Sequence, residues 1–515
     1  VLRSLRNIGR LLTVARCLAR HGALAPFAER IEGAGLAPAI LFAARLFTRG
    51  DESAGRPGER LAAALIELGP VAIKFGQLLS TRSDILGEQA AADLSHLRDR
   101  LAPFPAEQAR ATIASELGQP LEAMFASFDD IPVSAASIAQ VHYALTSEGE
   151  PVAVKVLRPG IEAAFARDLD LMFWLAEWIN RTQPKLRRFK PLAVAETFRA
   201  MCRIELDLRL EGAAATELAQ NFEGDTTYRV PKIDWRRTTR RVLTLERLTG
   251  IRMDDRAGML AAGLDVDLVL NRAAAIFFKQ AFRDGFFHGD QHPGNMFVDP
   301  EGNIGAVDFG IMGRLDRKHR YYLADMLLGF LERDYARVAE IHFAAGFVPA
   351  NQSKEDFTQA CRSIGEPIFG RPLAEISFAR VLGQLLSLSE SFEMEAQPQL
   401  LLLQKNMLMA EGVSRVLNPD LNIWTLAQPL VEEWMRENRG PEARIAEATR
   451  TTIDIVGRIP NLVSDMEAAA ATIARGGVKL HPDTLGAFTR ANGGGRGWLI
   501  WLAIGALALV VILTR

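Results

Sequence analysis

With 515 residues the chain is long enough for one large domain with flanking elements or for two to three ordinary domains, and it can bury a sizeable core without staples. Its 60 Lys and Arg against 62 Asp and Glu leave a formal charge of -2, which removes any global electrostatic argument for a nucleic-acid partner. The 3 cysteines, Cys17, Cys202 and Cys361, stand far apart and outside any C-x-x-C pair, so neither a disulfide framework nor a cysteine zinc site is indicated and a reducing, cytoplasm-facing compartment fits.

Residues 1–50 set arginines among apolar positions, as in Leu2 to Arg6 and Leu11 to Arg16, the pattern of an amphipathic helix. Glu29 and Glu32 argue against a transit peptide, so this segment is expected either to touch a membrane surface or to pack on the main domain. Residues 51–120 read as a helical extension: a loop from Gly50 to Gly58, then a helical stretch from Glu59 to about Leu101, closed by Pro103 and Pro105.

Residues 121–250 read as a small mixed lobe. Ser137 to Leu145 and Pro151 to Leu157 are strands of a hairpin turned at Ser147-Glu-Gly-Glu150. Helices are expected over Glu162–Ile179 and Leu192–Asn221, and a strand pair at Tyr228–Ile233 and Arg241–Leu248. Residues 251–490 read as a larger helical lobe, interrupted by the Gly/Pro-rich segment Gly285 to Gly313 with short strands at Met296–Val298 and Ile304–Val307. After a flexible Gly-rich stretch from Asn492 to Gly497, Trp498 to Leu513 is uncharged and flanked by Arg496 and Arg515, so 498–514 is expected to be a transmembrane helix. The fold class is α+β, a bilobal protein-kinase-like layout with an N-terminal helical extension.

Phosphoryl transfer needs a cation on the nucleotide phosphates, a held magnesium ion and a group that positions or deprotonates the acceptor. Lys155 in Pro151-Val-Ala-Val-Lys-Val-Leu157 shares a strand face with Ala153 and Leu157, where an apolar residue would otherwise be expected. His288-Gly-Asp290 with Asn295 repeats the spacing of a kinase catalytic loop, and Asp308-Phe-Gly310 follows after a short hairpin. Asp290 can then take or orient a proton while Asn295 and Asp308 hold the metal. The His288/His292 pair is a weak zinc signal, since Pro293 follows and no Glu succeeds His288. Where a protein kinase carries a glycine-rich loop, this chain has Pro132-Val133-Ser134-Ala135-Ala136-Ser137-Ile138-Ala139-Gln140, small residues that allow close backbone approach but resist positive φ.

Together these residues resemble the atypical kinase-like family that supports ubiquinone biosynthesis, known in bacteria as UbiB. The resemblance runs from about Glu59 to Trp424 and includes a K-x-G-Q motif at Lys74-Phe-Gly76-Gln77, the alanine-rich loop, an E-x-D motif at Glu205-Leu-Asp207 and the helix Leu403 to Gly412. It implies that Pro132 to Gln140 and Lys155 bind ATP, that Asp290 is the proton acceptor, that Asn295 and Asp308 hold Mg2+, and that Lys74 and Gln77 cover the acceptor side near Glu205. It further implies residence at the bacterial inner membrane with the catalytic domain on the cytoplasmic side, and membrane lipid, lipid intermediates or quinone-pathway enzymes as partners. Ala139 stands where the family usually has glycine and Ser134 where it has alanine, and one C-terminal apolar segment is found where a pair is common. Two other readings are a small-molecule kinase of the aminoglycoside or choline type, which shares the H-G-D-x-x-x-x-N loop, and a nucleotide-binding scaffold without turnover.

Overall fold

The computed structural model describes residues 2–23, 55–80, 88–95, 101–182, 190–367 and 398–419, with a few isolated positions besides. The elements below all belong to one compact unit, Val1–Glu432.

The arginine-rich start is helical, α1 being Leu2–Arg20. It docks by charge: Arg3 and Arg6 pair with Asp170, and Arg10 with Asp168, both on a long helix of the small lobe. Its C-terminal end docks by burial, with Cys17 and Ala23 in a small core beside Leu61, Ala64, Leu65, Ile73 and Leu94. Those partners lie on α2 (Pro57–Leu68), α3 (Pro70–Ser80) and α4 (Glu88–Ser95). The continuous helical stretch expected from Glu59 is therefore broken. Gly69, at φ 99°, ends α2, and Pro70 starts α3, because a proline tolerates only the first turn of a helix.

After α5 (Ala106–Leu117) and α6 (Leu121–Met124) comes the main sheet: β1 (Phe125–Phe128), β2 (Ser134–Ala135), β3 (Ala139–Thr146) and β4 (Pro151–Leu157), with a later strand completing it. The β3–β4 hairpin places Val141 opposite Lys155, Tyr143 opposite Ala153 and Ala139 opposite Leu157, so Lys155 shares a face with Ala153 and Leu157 as expected. The other face, with Val152, Val154 and Val156, packs on Ala109 and Ile113 of α5. Next come α7 (Ile161–Thr182), α8 (Pro191–Glu205) and α9 (Leu208–Asn221). Phe165, Phe198, Leu208 and Leu218 from these helices join Ala153 and Leu157 in the large core.

The single helix expected over Leu192–Asn221 is two helices. Asp207 is extended and its side chain accepts from the Arg209 N–H, capping α9; such a cap is worth about 1 kcal/mol and starts a new helix axis. The expected strand pair also divides. β5 (Tyr228–Arg229) runs parallel to a strand of the larger lobe, whereas β6 (Val242–Glu246) closes the main sheet against β4, and the two segments meet at the bridge Ile233 to Leu245 and through Glu246, which pairs with Arg229 and accepts the Lys232 N–H. Asp234 caps the 3-10 turn Trp235–Arg237, which turns the chain away just after the bridge.

In the larger lobe, β7 (Ile251–Arg252), α10 (Arg256–Ala261) and α11 (Val266–Phe278) lead through a π-helical turn, Lys279–Asp284, to β8 (Phe286–His288). The hairpin β9 (Met296–Val298) and β10 (Ile304–Ala306) sits between β7 and β5, and β11 (Met312–Arg314) pairs with β8. Then follow α12 (Arg317–Leu331), α13 (Tyr335–Ala344), α14 (Lys354–Gly365) and α15 (Pro398–Leu417). The expected transmembrane helix at 498–514 lies outside the described residues, and among the described residues no helix is long and apolar enough to cross a membrane.

Candidate active site

Lys155 reaches from β4 to two carboxylates. Its Nζ donates to Glu211 at 2.8 and 2.9 Å and to Asp308 Oδ1 at 2.8 Å. Glu211 stands in the first turn of α9, so the break at Asp207 is what aims it at the strand. Burial works against the Lys155 charge, but Asp308 and Glu211 outweigh it and hold the ammonium protonated. The nearby Lys155 charge holds Asp308 well below the usual carboxylate range, whereas burial pushes Glu211 up to about 7 against the pull of Lys155. Asp308 has a left-handed backbone, φ 65°, a conformation that costs a non-glycine residue on the order of 1 kcal/mol or more and that clusters at functional sites. Its side chain is half open to the cleft.

Across from this pair lies the loop after β8. His288 is buried and fully bonded: Gln280 of the π-helical turn accepts its backbone N–H at 2.9 Å, and Nδ1 accepts the Asp290 N–H at 3.1 Å. Its Nε2 lies 3.2 Å from the Val307 carbonyl oxygen, which can only accept, so Nε2 carries the proton and the ring is neutral. His288 thus ties the Asp290 loop to the segment that carries Asp308. Asn295 closes the loop, donating from Nδ2 to the Asp290 carbonyl at 3.3 Å and accepting the Val307 N–H at 2.9 Å. Gly289 is required here, because a Cβ would stand 2.8 Å from the Ile311 side chain and 3.0 Å from its carbonyl oxygen. The Asp290 carboxylate accepts from Lys405 of α15 at 2.8 Å.

Burial lowers the His288 pKa from its ordinary 6.5, since the Val307 carbonyl and nearby carboxylates only partly compensate. Between the lowered value and 6.5 the folded chain binds fewer protons than the unfolded one, so stability rises with pH there and is lost as pH falls below about 6.5. Urea unfolding from about pH 7 down to about pH 5 should therefore show a steeper loss for wild type than for His288→Asn. Parallel curves would mean that another group sets the acid limb.

Lys74 meets Glu205 of the E-x-D motif, 3.1 Å away, with both side chains nearly buried. Asp207 instead caps α9 and forks with Arg209. The Lys74 charge also contributes to holding Asp308 low, and Gly76 on that helix is buried. Gln77 contributes a carbonyl that accepts from the Ser80 hydroxyl at 2.7 Å.

Comparison with known proteins agrees with this geometry. The ABC1 atypical kinase-like domain matches residues 96–342, and the UbiB helical domain matches residues 361–422. The chain is 44% identical over 414 residues to "Probable protein kinase UbiB" of Marinobacter nauticus, covering 80% of this chain and 74% of the relative. It belongs to the UbiB family of atypical kinase-like proteins. The Xanthomonas oryzae pv. oryzae "Probable protein kinase UbiB" is 42% identical over 416 residues, 79% of this chain and 75% of that one. Among solved structures, the complex of Rv3197 with erythromycin from Mycobacterium tuberculosis is similar with a TM-score of 0.51 and 25% identity, over 72% of this chain and 94% of that chain. The α+β kinase-like fold with N-terminal helices is thereby shown, and with it the family's tie to ubiquinone biosynthesis.

The alanine-rich loop of this UbiB-family chain divides in two. Pro132 to Ala136 is partly or fully exposed, and β2 within it folds back on Val141 and Gln140 of β3. Ser137 to Gln140 is buried, and Arg158 pins the turn by donating to the Ala136 carbonyl at 2.9 and 3.0 Å. Gln140 was expected among the ATP-binding residues, but it lies one residue out of phase with Val141, the partner of Lys155. Its side chain sits on the opposite face, bonded to the Phe104 backbone at 3.0 and 3.2 Å and to His142. Likewise His292 does not pair with His288: it caps the short turn after it, accepting the Gly294 N–H at 3.0 Å.

Sequence reasoning missed Glu211, Lys405, Asn406 and Gln280. A signal existed for the first, since a strand lysine on phosphates needs a helix carboxylate to hold it and an acidic residue follows Asp207 by one helical turn. For Lys405, 115 residues from Asp290, no local signal exists.

Proposed function

We propose that this chain is a magnesium-dependent ATPase or atypical kinase, held at the inner membrane, that acts in ubiquinone biosynthesis on lipid intermediates or on the enzymes that process them. The observation that carries the reading is Lys155 bridging Glu211 and Asp308 opposite an Asp290 loop that His288 joins to the Asp308 segment. Lys155 would take the nucleotide phosphates, and the exposed Pro132 to Ala136 arm would lie along them. Asp308, kept ionised and half open, and the Asn295 amide oxygen offer the hard donors that magnesium prefers. When bound, magnesium supplies neutralisation of phosphate charge. Asp290 would orient or deprotonate the attacking hydroxyl.

The Lys74–Glu205 pair fixes α3 on α8, and the Lys74 charge is felt at Asp308, which supports the K-x-G-Q helix as a cover on the acceptor side and a small, lipid or water acceptor over a folded protein. The same packing argues against an open aminoglycoside-type site. Membrane attachment rests on the uncharged run Trp498 to Leu513. Quinone-precursor profiling in a deletion strain tests the whole reading, with wild-type, Asp290→Asn and Asn492-truncated copies. Wild type should restore synthesis, Asp290→Asn should not, and the truncated copy should leave the membrane fraction. Full rescue by Asp290→Asn would leave a scaffold role instead.

A further inference from the structure

We propose that Lys405, carried by α15 in the part of the larger lobe that matches the UbiB helical domain, is a catalytic residue of this site. Its ammonium holds Asp290 before nucleotide binds and faces the transferring γ-phosphoryl group afterwards. The inference deepens the phosphotransfer reading above and rests on it.

The argument begins with charge. In the transfer, the acceptor oxygen bonds the γ-phosphorus while the bond to the β,γ-bridging oxygen breaks. The acceptor proton passes to Asp290, and ADP leaves. The carboxylate and the γ-phosphoryl group are both anionic and must stand close, so a cation is needed between them. The loop from His288 to Asn295 contains no lysine or arginine. Lys155 stands with Glu211 and Asp308 across from this loop, and neither of them reaches Asp290. Lys405, at 2.8 Å from Asp290 Oδ1, stands where the cation is required.

The next residue shows that this is a built arrangement. Asn406 is fully buried and clamps the same loop, donating to the His288 carbonyl and accepting the Gln291 N–H at 3.2 Å. Asn406 therefore fixes α15 against the loop, and the base of Lys405 is held relative to Asp290. The ion pair itself is well solvated, with side-chain exposures of 42% for Lys405 and 31% for Asp290. Such pairs contribute little to folding and exchange readily, so anchoring falls to Asn406 and the lysine is left able to reach a phosphate.

The test uses the full chain with three lysine states, wild type, Lys405→Ala and Lys405→Arg, and Asp290→Asn as reference. Calorimetric titration with a non-hydrolysable ATP analogue and with ADP is run beside ATP turnover and thermal unfolding. Lys405→Ala should lower turnover on the order of a hundredfold and weaken the ATP analogue about tenfold, with ADP affinity and unfolding temperature unchanged. Lys405→Arg should recover part of both. Unchanged analogue affinity in Lys405→Ala overturns the proposal, as does an equal loss for analogue and ADP with a lower unfolding temperature, the mark of a strut. If wild type binds nucleotide but turns none over, the phosphotransfer reading fails, while the analogue-against-ADP difference still decides whether Lys405 meets the γ-phosphate.

Discussion

Asp290→Asn is expected to lower ATP turnover by about a hundredfold or more while nucleotide affinity stays near wild type. The carboxylate, proposed to face the acceptor, is bonded to Lys405, whereas Lys155 is held separately by Glu211 and Asp308. The isosteric amide keeps the loop intact, because the bonds that shape it use the backbone: the Asp290 N–H on His288 and the Asp290 carbonyl on Asn295. What it loses is basicity and charge at one side chain. Single-turnover kinetics beside nucleotide titration check this. A parallel loss of affinity would show that Asp290 builds the nucleotide pocket.

The largest effect on stability is expected from Lys155→Met. Removing the cation leaves Glu211, nearly buried, facing Asp308 with nothing between them, and breaking a buried pair in this way costs about 3 to 5 kcal/mol. Glu211 already sits at about 7, well above its ordinary 4.5, and without Lys155 it must rise further. A carboxyl whose folded pKa is raised binds more protons folded than unfolded, so the variant loses stability as pH rises through that window. Urea unfolding should show a larger deficit at about pH 8 than at about pH 6. Adding Glu211→Met should return much of the stability by removing the stranded charge, yet ATP turnover should stay lost. Recovery of turnover in the double variant would mean that Lys155 serves the fold and not the nucleotide.

What the amino-acid sequence by itself determined is local in origin. Strand alternation set the face of Lys155, and the turn at Gly149 set the β3–β4 hairpin. The spacing from Asp290 to Asn295 is that of one tight loop, and Asp308 follows the β9–β10 hairpin because the residues between them hold little else. Such features need only a few neighbouring residues, so their signals survive in a single sequence. Partner choice does not. Glu205, Asp207 and Glu211 are similar acids within one helical span, and which meets Lys74 and which meets Lys155 was decided by the helix break at Asp207, which turns α9 onto a new axis. The Gln140 side chain was turned to the other face by a one-residue phase in the sheet, and β5 pairs with β10 and meets the β6 segment at the bridge Ile233 to Leu245. Lys405 reached Asp290 only because α15 packs back across the larger lobe. These pairings are settled by burial and register between segments far apart in the chain, quantities that no local pattern carries.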